Sequence, residues 1–190
     1  MMDYQTAVRG AFFDIAGVAE TPDEVAAQAR YLDDGLLFLQ EGKIIALLPW
    51  LEGEAFLHPL KGYVDLRGKL LLPGFVDTHI HYPQTEMIGA FGEQLLEWLT
   101  TYTFPVEARY GDTDFAEAAW KRFLNRMWAN GTLRFSAFAT IHKEAAWRLM
   151  ELTEQAGLSA LIGKVNMDRN APDSLREDTD ASLADTEELI

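Results

Sequence analysis

Leu70-Leu71-Leu72-Pro73-Gly74-Phe75-Val76-Asp77-Thr78-His79-Ile80-His81 is the stretch on which the fold turns. After the Pro-Gly break comes a mostly apolar run of the kind that strands buried in parallel sheets show, so a strand is expected through His81. Residues two apart on a strand share a face, which puts Asp77, His79 and His81 in one column and Thr78 and Ile80 on the other side. Two imidazoles spaced by roughly 6–7 Å of backbone can both reach a single metal ion, at zinc–nitrogen distances near ~2.0–2.1 Å. A bare His-x-His pair is more often structural, two rings hydrogen-bonded to neighbours. Here the pair closes an apolar strand behind a Pro-Gly entry, and the C-terminal ends of parallel strands are where α/β folds build their sites.

Working outward, the residues after His81 alternate helix and strand. Leu95–Tyr102 has helical spacing, and Asp112 is placed to cap a long amphipathic helix that Asn130-Gly131 stops. Thr132–Ile141 reads as a strand, Lys143–Ala156 as a helix ended by Gly157, Leu158–Val165 as a strand, and Ala181–Ile190 as the start of another helix. Strands alternating with helices imply a parallel sheet of βα units. About three units are present, against the eight of a closed (β/α)8 barrel, which typically takes about 250 residues.

The segment before Leu70 is different in kind. Val8–Ile15, Gly35–Gln40, Lys43–Pro49 and Tyr63–Leu66 read as short strands, with Glu41-Gly42 as a hairpin turn. Thr21-Pro22 opens a short helical turn through Arg30, Thr21 capping and Pro22 in the first helical position. The expected class is α/β, with a β-rich segment over 1–69 and parallel βα units over 70–190, which the resemblance given below makes a small β domain and an incomplete (β/α) barrel.

Composition narrows the function. The 190 residues are 48% hydrophobic and 12% aromatic, enough to pack a core. With 16 basic and 30 acidic residues the formal charge is −14, which disfavours nucleic-acid and anionic-membrane partners. No apolar run approaches the roughly 18 residues of a membrane span, and the start lacks the pattern of a signal peptide, so a cytoplasmic protein is expected. Cysteine is absent, which removes disulfides and every thiolate metal site, including the His/Cys/Cys zinc centre of one class of nucleobase deaminases. Any metal is held by His and carboxylate.

The run Leu72–His81 resembles the first-strand signature of the amidohydrolase superfamily, and the Glu41–Ala46 hairpin resembles the small composite β domain that accompanies it. Tyr82-Pro83-Gln84, Leu95–Leu99, Tyr102–Glu107, Asn130–Thr132, Phe138–His142 and Gly163–Asn170 are similar to guanine deaminases in particular. The resemblance implies one Zn2+ per site held by His79 and His81, with iron as an open alternative. It also implies contact of Gln84 with the purine, a pocket shaped by Tyr82 and Pro83, hydrolysis of guanine to xanthine and ammonia, and a cytoplasmic homodimer. The family's other ligands, two histidines and an aspartate, lie on later strands with its proton-transferring glutamate and a guanine-binding arginine; none is expected within 1–190. Two alternatives stay open: another amidohydrolase acting on a different amine- or chlorine-bearing heterocycle, and a non-catalytic fragment that needs a complementary chain.

Several residues are set aside. Asp77 is either an acceptor that orients a histidine or a buried carboxylate paired with a base. His142 is expected as a hydrogen-bonded structural histidine, His58 as a surface residue, and Arg169 as a partner of Asp168. Trp98, Tyr102 and Phe104 either stack on a flat base or cover the barrel, while Trp120, Trp128 and Trp147 are expected in the core. Glu86, Glu93 and Glu97 receive no catalytic role, and the acidic stretch Asp173–Glu188 is read as a solvated loop and helix face.

Overall fold

The computed structural model describes residues 3–92 and 94–190. The chain is a mixed α/β protein that divides into two compact units, Met1–Pro73 and Gly74–Ile190.

In the first unit four strands form one sheet in the order β3-β2-β1-β4: β1 (Thr6–Ile15), β2 (Ala29–Gln40), β3 (Lys43–Pro49) and β4 (Val64–Leu71). β2 and β3 form the expected hairpin, with Glu41 at φ 50° and Gly42 at φ 72°. Two consecutive positive-φ residues make the turn whose twist matches that of the strands, and Gly42 adopts it without a Cβ penalty. Helix α1 (Pro22–Gln28) starts as its sequence dictates, Thr21 Oγ1 accepting from the Glu24 N–H at 3.3 Å. The residues after it extend into β2 instead of continuing the helix to Arg30, because Ala29, Arg30 and Tyr31 pair with Ile15, Asp14 and Phe13. The core of this unit is Tyr4, Ala7, Leu36 and Phe38. β4 runs parallel to β1, pairing Leu70 with Ala11 and Leu71 with Phe12. Those two leucines thus belong to the β unit, and the break falls four residues later than the expected 69/70.

The second unit holds three parallel strands in the order β5-β6-β7: β5 (Phe75–His81), β6 (Thr132–Phe138) and β7 (Ser159–Gly163), linked by α2 (Thr113–Ala129) and α3 (Lys143–Gln155) and followed by α4 (Thr179–Glu187). Asp112 caps α2, its Oδ1 accepting from the N–H groups of Asp114 (2.9 Å) and Phe115 (3.2 Å). Gly131 and Gly157, both at φ +71°, end α2 and α3 in the left-handed conformation that glycine tolerates. Phe135 and Ala137 of β6 are buried with Phe123 and Met127 of α2 and Leu149 of α3, and Ile80, Ala160 and Ile162 pack against the same cluster.

Between β5 and α2 the chain is helical in mixed winding. Tyr82–Met87 is a 3-10 turn, and 95–111 runs from an α-helical turn (Leu95–Trp98) through a π turn (Leu99–Thr103) to further α and 3-10 turns. Trp128 and Trp147 are 52% and 49% exposed, so the core role expected of them is corrected: they lie on the outward sides of helices whose inner sides are filled by smaller residues. Trp120 is half-buried and packs against the core.

One polar network ties β7 to α4. The fully buried Lys164 ammonium donates to Glu177, to Asn166 Oδ1 (2.9 Å) and to Ser182 Oγ (3.1 Å), and Glu177 Oε2 accepts from the Met167 N–H at 2.8 Å. Glu177 therefore departs from the solvated role read for Asp173–Glu188. Removing one member of a buried pair strands the other charge, at about 3–5 kcal/mol. Urea unfolding of Lys164→Ala is expected to show a loss of that order, and the double variant Lys164→Ala/Glu177→Ala a smaller one; equal losses would mean the pair does not couple.

Candidate metal centre

β5 delivers both histidines to one place. Their ring centroids are 5.2 Å apart, and both rings lie on Phe138, the last residue of β6: His81 stacks on it at 4.8 Å and His79 meets it edge-on at 5.3 Å. The register explains the convergence. Ile80 pairs with Ala137, both packed on the helix side, and His81 pairs with Phe138, so the histidines fall on the face turned away from the helices. His79 is exposed and His81 half-buried. Burial, and secondly the neighbouring His79, lower the pKa of His81, which favours the neutral imidazole that ligates a metal.

Asp77 does not continue the column. Asp77 pairs with Phe135 and Ile80 with Ala137, so three steps along β5 match two along β6, and this irregularity breaks strict alternation. Its side chain is exposed, and Oδ1 accepts from the His79 backbone N–H at 3.1 Å. Neither role weighed for it in the sequence is the one seen. Among the described residues no third His, Cys, Asp or Glu joins the pair. A catalytic zinc ordinarily takes three protein ligands and water, so His79 and His81 fit as one portion of a ligand set.

Beside the histidines lies a cleft of about 480 Å3 lined by His79, His81, Gln84, Thr85, Met87, Ala90 and Trp98. Gln84 is half-buried there with an amide that both donates and accepts. Tyr82 and Pro83 stand elsewhere. Tyr82 is 1% exposed and donates from its hydroxyl to the Ala116 carbonyl at 2.9 Å. The carbonyl of the buried Pro83 accepts from Tyr110 at 3.3 Å. These two residues anchor the turn that aims Gln84, and they act from behind the wall. A hollow of similar size, about 490 Å3, opens among Thr113, Lys143, Trp147 and Glu188. Lys143 there is spoken for by Asp185 and Glu188, and no histidine enters it.

The remaining titratable groups sort cleanly. Arg169 pairs with Asp168 as expected, and Glu86 is held by Arg122 at 2.8 and 2.9 Å. His58 is half-buried, its Nδ1 accepting from the Leu60 N–H at 3.1 Å. Glu97 is exposed, Tyr102 and Phe104 are half-buried, and Glu93 lies outside the described residues. His142 precedes α3 with a buried Nε2 that has no hydrogen-bond partner; burial lowers its pKa, partly offset by the carbonyl of Glu107.

Glu107 is the group the sequence did not single out. It is 5% exposed, its Oε2 has no partner, and burial pushes its pKa up to about 7. The signal available was slight: a lone acid directly after the largely apolar Tyr102–Val106 stretch. Because the folded pKa lies above the ordinary 4.5, the unfolded chain releases this proton first, and stability falls as pH rises from about 4.5 to about 7 and then levels. A shift of that size corresponds to at most about 3 kcal/mol. Glu107→Gln is expected to lack this loss, so its stability relative to the parent should grow across that pH window in urea titrations; a constant difference would contradict it.

Residues 70–190 match the amidohydrolase family. The guanine deaminase of Escherichia coli (strain K12) is 43% identical over 184 residues, which is 97% of this chain and 42% of that protein. In structure the chain superposes on E. coli guanine deaminase with a TM-score of 0.92 at 43% identity, covering 97% of this chain and 43% of that one. The guanine deaminase of C. acetobutylicum, solved with guanine bound in its active site, gives 0.84 at 32% identity, covering 97% and 42%. This chain therefore spans less than half the length of those relatives. From the His-x-His strand, the parallel βα units and the match over residues 70–190, the chain belongs to the amidohydrolase family.

Proposed function

We propose that this chain carries the first metal-holding strand and part of the purine pocket of a zinc-dependent guanine deaminase, which converts guanine to xanthine and ammonia. The observation that carries the proposal is the meeting of His79, His81 and Gln84 in one cleft at the C-terminal end of β5. Neutral imidazoles at His79 and His81 would hold the ion, and iron is the alternative to zinc. A divalent ion bound there supplies water activation and charge stabilisation. Gln84 offers a donor and an acceptor to the mixed hydrogen-bonding edge of guanine. The likeness to guanine deaminases supports the substrate; a cytoplasmic homodimer as the working form is proposed only from the family resemblance of the sequence. No helix among the described residues is long and apolar enough to cross a membrane.

Ammonia release from guanine, adenine, cytosine and amino-triazines measures the substrate class directly; a preference for anything but guanine would replace this proposal with another amidohydrolase of the same family. His79→Ala and His81→Ala should each strip metal, read by elemental analysis, and lower deamination by more than about 100-fold, since even groups that merely orient ligands are worth about 10- to 100-fold. The finding of only two ligands among the described residues favours a second outcome for residues 1–190 tested alone. Weak metal retention without turnover would mean that the remaining ligands come from another polypeptide segment.

A further inference from the structure

Trp98 lines the same cleft as His79, His81 and Gln84, and its indole is fixed in a way that settles what it can offer a ligand. The ring N–H donates to the Ala90 carbonyl at 3.1 Å. Indole has no other polar hydrogen and no acceptor, so what remains for the cleft is an apolar aromatic surface. The backing is tight: a Cβ built on Gly92 would stand 2.8 Å from Trp98 Cβ and 2.9 Å from Cδ1, closer than real side chains approach. Gly92 is thus the residue that lets the loop close behind the indole. Trp98 also ends an α-helical turn where the helix widens into the π turn Leu99–Thr103, a winding change of the kind that recurs at functional sites. On the neighbouring side, Thr103 Oγ1 donates to Met87 Sδ at 3.4 Å, tying the π turn to the segment that carries Gln84.

We infer that Trp98 is a specificity-determining residue: a rigid aromatic wall that selects a flat heteroaromatic ring by stacking, with Gly92 kept small to hold that wall in place. The inference rests on the deaminase proposal for its substrate. A planar ring with a polar edge satisfies both features of the cleft, edge to the Gln84 amide and face to the indole. A puckered or aliphatic amide satisfies only the first.

The test uses the metal-loaded protein in its active form. Base–aromatic stacking corresponds to roughly 5- to 150-fold in affinity. Trp98→Leu should therefore raise KM for guanine by a factor in that range with a smaller change in kcat, and Trp98→Phe should restore most of it. Gly92→Ala should reproduce the KM effect of Trp98→Leu although it removes no cleft-lining side chain, and bound metal should be unchanged in all three. Should Trp98→Leu fail to fold, tryptophan fluorescence decides: guanine should quench the parent protein, and the quenching should be largely lost in Trp98→Phe. Unchanged KM in Trp98→Leu and Gly92→Ala, or equal quenching in Trp98→Phe, overturns the wall. Failure of the parent protein to act on guanine at all, with bound metal intact, overturns instead the substrate on which the inference rests.

Discussion

Everything at the candidate site depends on which face of β5 packs against the helices. Ile80 is drawn into the apolar cluster beneath α2 and α3, and strand alternation then forces His79 and His81 to the opposite face, against Phe138. A one-residue slip of β5 would bury the imidazoles and expose Ile80, so hydrophobic burial of a single residue sets the register that brings the two histidines together. The parallel pairing of Ile80 with Ala137 and His81 with Phe138 holds that register at the strand's exit, where the irregularity at Asp77 has already been absorbed.

The segment after the strand converts position into a pocket. Tyr82 and Pro83 turn inward and are held by the Ala116 carbonyl and the Tyr110 hydroxyl, leaving Gln84 turned toward the cleft. Loss of the Tyr82 anchor would move the amide of Gln84 without touching it, because the short turn is held by its own buried residues, Tyr82, Pro83 and Met87.

Two buried polar groups near the exits of the other elements are treated in opposite ways. The Lys164 side chain is fully enclosed and bonded to several oxygens, so its burial is offset by partners. Glu107 is enclosed with one oxygen unpartnered, so its burial is met by holding the proton. The first arrangement rigidifies the connection from β7 to α4; the second makes the 95–111 segment sensitive to pH.

Much of this was legible in the residues. Binary alternation, caps and stops located the strands and helices of both units, because Asp112, Thr21, Gly131, Gly157 and the Glu41-Gly42 turn act through local backbone chemistry. The parallel βα order likewise was legible without any tertiary information, and so was the shared face of His79 and His81. What the sequence could not decide were contacts between residues far apart. Tyr82 and Pro83 read as pocket residues but anchor it from behind; Leu70 and Leu71 read as the entry to the parallel sheet but pair with β1; the partner of the Trp98 N–H, the Ala90 carbonyl, was not readable at all. The physical reason is the same in each case: periodicity determines which face a side chain takes, while the partner that waits on that face is supplied by a segment whose approach only the packed structure fixes.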